Sequence, residues 1–92
     1  MSHRTVLVAH AAPGYLERLV PRLSDLDLHV IGPVQTARMA LALAAQHGPE
    51  MALIGPELCG ERDGAALAAA LESRWGVPSR ILEEEDPGAV QL

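Results

Sequence analysis

Thr5-Val6-Leu7-Val8-Ala9-His10-Ala11-Ala12-Pro13-Gly14 sets the reading of the chain: a short apolar run, residues 5–9, is broken off by a Pro-Gly pair. Apolar residues without polar alternation are the pattern of a strand buried on both faces, as in a parallel sheet. Outward from it, Leu16, Leu19, Val20 and Leu23 recur at helical spacing over 14–24, where Pro21 is expected to kink or shorten the helix. Leu28-His29-Val30-Ile31 reads as a second strand closed by Gly32-Pro33. Thr36 then caps a helix with Ala37, Ala40, Leu41 and Ala44 on one face, stopped by Gly48-Pro49. Met51-Ala52-Leu53-Ile54 is a third strand bounded by Gly55-Pro56, and a loop over 57–62 follows. Asp63 is a candidate N-cap for a helix repeating Leu67, Leu71 and Trp75, with Gly76 as its stop and Pro78 beyond. Residues 77–82 read as a fourth strand, ahead of the acidic run Glu83-Glu84-Glu85-Asp86 and the turn Pro87-Gly88. Strands and helices alternate as βαβαβαβ, which implies an α/β fold with a parallel sheet and right-handed crossovers. Function in such a sheet sits at the carboxyl ends of the strands.

Composition narrows the chemistry. The 92 residues suit one domain, and 49% hydrophobic content with a mean hydropathy of +0.14 is that of a folded chain. No apolar run approaches the roughly 18 residues that span a bilayer, so no membrane partner is expected. Twelve acidic against seven basic residues give a formal charge of −5, which leaves no basic stripe for a phosphate backbone; no direct nucleic-acid partner is expected. All seven basic residues are arginines, so chemistry requiring a lysine ammonium is excluded. The single Cys59 rules out an intramolecular disulfide, and Met1-Ser2-His3-Arg4 does not read as a signal peptide, so a cytoplasmic location is expected. With no Phe and only Tyr15 and Trp75 as aromatics, the core has to be closely packed Ala, Leu, Val and Ile.

Over nearly all its length the chain resembles the receiver domain of two-component response regulators. The resemblance is carried by Val6-Leu7-Val8-Ala9-His10-Ala11-Ala12-Pro13 at the first strand, by Gly32-Pro33 with Thr36-Ala37, and by Glu50-Met51-Ala52-Leu53-Ile54-Gly55 at the phospho-acceptor strand. Asp63-Gly64 with Leu67-Ala68 and Trp75-Gly76-Val77-Pro78 add to it. It implies a flavodoxin-like (CheY-like) three-layer fold with four parallel strands in order 2-1-3-4. Residues 1–86 are then a receiver-like domain without the family's fifth strand and fifth helix, and 87–92 a C-terminal tail. It also implies the positions of a site. Gly55 takes the place of the phospho-accepting aspartate, His10 and Ala11 replace the acidic pair that holds magnesium, and Glu83 falls near the switch threonine or serine. The family's lysine has no counterpart.

Transfer of a phosphoryl group to a carboxylate needs an oxygen nucleophile, a metal held by oxygen ligands and a cation on the developing charge. Glycine at 55 offers no nucleophile, alanine at 11 no ligand, and glutamate at 83 repels a phosphoryl group. The expectation is a degenerate, inactive phosphorylation site at His10, Ala11, Gly55 and Glu83, with no catalytic residue and no cofactor. The protein is then no enzyme but a pseudo-receiver: a phosphorylation-independent interaction module in signal transduction, paired with itself, a kinase or another regulator. An alternative reuses the strand ends for metal binding or enzymatic chemistry through His10, Glu57 and Cys59, with Asp63 nearby. A remnant with no selected role is a third reading. The acidic run at 83–86 reads as a solvated edge or a dock for a basic partner. No Gly-Lys-Ser/Thr ending or Gly-x-Ser-x-Gly frame is present, so neither a phosphate loop nor a small-molecule substrate is expected.

Right-handed crossovers in the order 2-1-3-4 put the first helix on one face and the second and third on the other. The first face is then expected to be bare over strands 3 and 4, with Met51, Leu53, Arg80 and Leu82 as interface candidates for a homodimer or an obligate complex.

Overall fold

A computed structural model describes residues 4–58, 60 and 63–82. Four strands alternate with three helices: β1 (Arg4–Ala9), α1 (Pro13–Asp25), β2 (Leu28–Val34), α2 (Ala37–His47), β3 (Met51–Ile54), α3 (Gly64–Trp75) and β4 (Ser79–Ile81). All strand pairs are parallel, in the order β2-β1-β3-β4. The flavodoxin-like order expected from the sequence is therefore the one found. Val6, Leu7, Val8 and Ala9 of β1 and Ala52, Leu53 and Ile54 of β3 are fully buried, as strands covered on both faces must be.

The faces divide as handedness requires. Val6, Val8 and Leu53 pack with Tyr15, Leu16, Leu19 and Leu23 of α1. Leu7, Ala9, Ala52 and Ile54 pack on the opposite face with Ala37, Ala40 and Ala44 of α2 and Leu67 and Leu71 of α3. The buried positions of α2 are all alanine, so its backbone lies close to the sheet. The Thr36 hydroxyl accepts the Met39 N–H at 3.1 Å and the Asp63 carboxylate accepts the Ala66 N–H at 2.9 Å, capping α2 and α3. Gly48 and Gly76 close the same helices with φ of 56° and 64°, in the left-handed region.

Several boundaries differ from the sequence expectation. Helix α1 runs through Pro21 to Asp25 without shortening. The carbonyl that loses its donor belongs to Glu17, and both residues are exposed, so water can serve it. Strand β2 does not stop at Gly32-Pro33 but continues to Val34. The pairing shifts between Leu7↔Ile31 and Ala9↔Val34, and this irregularity, on an outer strand where a missing donor is tolerated, accommodates the proline. Strand β4 is shorter than 77–82, because the Val77 N–H turns back to the Leu71 carbonyl at 3.3 Å. Trp75 is 42% exposed and does not extend the Leu67–Leu71 stripe. Each step of four overshoots a helical turn by about 40°, so a third member has rotated off the face.

The face expected to be bare is not open at its centre. Leu53 is fully buried and Leu82 is 4% exposed, both within the α1-side cluster. Of the four interface candidates, Met51 is half-buried and Arg80 exposed.

Candidate functional site

The two central strands end side by side. The register pairs Ala9 with Ile54, so the next residues, His10 and Gly55, face each other across the strand ends. Backbone hydrogen bonds hold them there. The Gly55 N–H donates to the Ala9 carbonyl at 2.7 Å, and the His10 N–H donates to the Val34 carbonyl at 2.9 Å.

The His10 side chain is turned into the protein and is only 7% exposed. Its ring stacks on Tyr15 with centroids 4.2 Å apart and planes 5° from parallel. Its Nδ1 accepts the Ala12 N–H at 3.0 Å. A ring nitrogen that accepts carries the lone pair, so this geometry selects the neutral tautomer protonated at Nε2.

Gly55 is buried beneath this ring. A Cβ placed on it would lie 2.6 Å from His10 Cδ2, 3.0 Å from Cγ and 3.1 Å from Nε2. On its other side the Gly55 carbonyl lies against Gly64, the first residue of α3, which has no room for a Cβ either. The Gly64 N–H donates to the Pro56 carbonyl at 3.2 Å. The end of β3 is thus clasped between an imidazole and the first turn of α3.

Ala11 is half-buried in the β1–α1 turn, and Glu57 is exposed. The Asp63 carboxylate is engaged in capping α3. Cys59, Glu83 and the rest of the acidic run lie outside the described residues. Among the described residues, no group of three or more His, Cys, Asp or Glu side chains could hold a metal ion, and no helix is long and apolar enough to cross a membrane. His10 is buried and not solvated, and its Nδ1 accepts an N–H at the start of α1. The sequence reading named His10 and Gly55 separately and missed their contact. The available signal was that each follows the last residue of an adjacent central strand.

At these two strand ends the side chains are an imidazole, the methyl of Ala11 and the hydrogen of Gly55, with no carboxylate oxygen among them. Such a set can fill space and fix a turn, but it offers no acceptor for acyl phosphate formation.

No protein-family model and no curated protein matches the sequence. Solved structures do match it. The signal receiver domain of a modulated diguanylate cyclase from Desulfovibrio desulfuricans G20 superposes with a TM-score of 0.83 at 26% identity, over 89% of this chain and 66% of that one. The signal receiver domain of the response regulator NarL from Mycobacterium tuberculosis gives a TM-score of 0.75 at 32% identity, over 90% of this chain and 66% of that one. The BeF3-activated N-terminal receiver domain of RstA from Klebsiella pneumoniae gives 0.78 at 23% identity, over 90% of this chain and 69% of that one. The chain therefore spans just under two thirds of the length of the first two. Strand order, helix placement and these likenesses define a flavodoxin-like α/β domain. Within that class its fold is that of CheY-like receiver domains of response regulators.

Proposed function

We propose that this chain is a pseudo-receiver: a receiver-type domain that takes part in signal transduction through protein contacts and is not switched by aspartyl phosphorylation. The receiver fold supports the signalling part. The observation that carries the rest is the pairing of His10 with Gly55, where an imidazole occupies the space that a side chain at 55 would use. A site filled in this way has neither the nucleophile nor the room for a phosphoryl group, and the domain acts in one state. In this reading it is cytoplasmic and no enzyme, residues 1–86 form the module, and 87–92 are its tail. Its partner is a kinase, another regulator or a second copy. Met51 and Arg80 remain candidates for the contact surface on the β3–β4 side, whereas Leu53 and Leu82 belong to the core. Sedimentation equilibrium at micromolar concentration distinguishes a second copy from a different protein.

The phosphorylation claim is tested by incubation with acetyl phosphate and magnesium followed by intact mass. The expected result is no added phosphoryl group. Stoichiometric labelling at an aspartate would overturn the reading.

A further inference from the structure

We infer that the His10 imidazole is a packed plug, locked over Gly55, so that the strand-end site is closed by packing and admits a side chain at 55 only when the ring is removed. The inference rests on the reading of this site given above and goes a step further. A site that merely lacked its groups would accept them back one at a time, whereas a plugged site would not.

Three observations carry it. All three atoms nearest to a Cβ at 55 belong to the His10 ring, the closest at 2.6 Å. The ring is not the loose end of a flexible chain: it is 7% exposed, stacked on Tyr15 and tied through Nδ1 to the Ala12 N–H, so moving it disturbs the β1–α1 turn and the start of α1 together. The Gly55 backbone itself does not forbid an L side chain, since among the described residues the positive-φ glycines are Gly32, Gly48, Gly60 and Gly76. Strain on substitution at 55 therefore comes from the ring and not from the backbone. With Gly64 pressed against the Gly55 carbonyl from the other side, β3 has no easy way to back away.

The test is a double-mutant cycle on thermal unfolding with Gly55→Ala, His10→Ser and the two combined. Serine removes the ring, and its hydroxyl can still accept the Ala12 N–H. Gly55→Ala alone is expected to lower Tm by roughly 5–15 °C, the scale of core overpacking in a domain of this size. In the His10→Ser background the same substitution is expected to leave Tm unchanged or to raise it slightly, because alanine restricts the unfolded chain. Equal losses in both backgrounds would overturn the inference. If Gly55→Ala does not fold alone, a folded double variant supports the plug. An unfolded double variant beside a folded His10→Ser protein contradicts it. A second readout needs no change at 10: in Gly55→Ala, the Ala12 amide and Tyr15 ring resonances are expected to shift, and unmoved resonances would contradict the plug. The outcomes separate the two claims. Labelling by acetyl phosphate would sink the proposed function and leave the coupling standing, while additive losses of Tm would sink the plug and leave the unlabelled protein standing.

Discussion

At the scale of single residues, the β1 and β3 ends are held by packing around the His10 imidazole. Tyr15 is 7% exposed and lies flat against His10, so Tyr15→Ala removes a buried ring and the support of the imidazole at once. Urea unfolding of that variant is expected to show a loss of ~3 kcal/mol. Leu53→Ala is expected to cost ~2–5 kcal/mol in the same assay, with no change in sedimentation, because Leu53 is fully buried inside the chain. A change in oligomeric state with little loss of stability would instead return Leu53 to a contact surface. The sequence made both strand ends legible, since an apolar run terminated by His10 and another by Gly55 mark where adjacent strands stop. It did not make their contact legible. That depends on the rotamer of one ring and on Tyr15, which reaches it from the first turns of α1.

At the scale of elements, local chemistry was readable wherever a side chain acts on its own backbone. Thr36, Asp63, Gly48 and Gly76 sit at the helix ends their residue types favour. Thr36→Ala and Asp63→Ala are each expected to lose about 1 kcal/mol in denaturant unfolding, with the fold retained. Helix α2 reaches the sheet through Ala37, Ala40 and Ala44, and Ala40 is fully buried. Ala40→Leu is accordingly expected to cost ~1–3 kcal/mol, although leucine is a good helix former, because no volume is available between α2 and the sheet. A neutral effect would mean that α2 packs less closely than the alanine stripe implies. Elements whose limits depend on neighbours were less readable. Pro21 sits on the exposed side of α1, and Gly32-Pro33 lies in an outer strand whose pairing shifts around it, so neither proline breaks its element. Only the tertiary setting shows which backbone donors could be spared.

At the scale of the whole molecule, alternation of strands and helices and the hand of the crossovers were enough to place α1 on one face and α2 and α3 on the other. Over β3 the same reasoning expected a bare face, on which Leu53 and Leu82 are instead buried. Leu53 is fully buried and shares one cluster with Val8, Leu82 and residues of α1. The fold is that of receiver domains, and the proposed function holds that its central strand ends, with His10, Ala11 and Gly55, do not carry carboxylate phosphorylation chemistry. The most direct test of that account is an amide NMR titration of the protein with magnesium and beryllofluoride, the ligand of the activated RstA receiver domain. The account predicts no saturable shift at His10, Ala11 or Gly55; saturable shifts centred on these strand ends would contradict it.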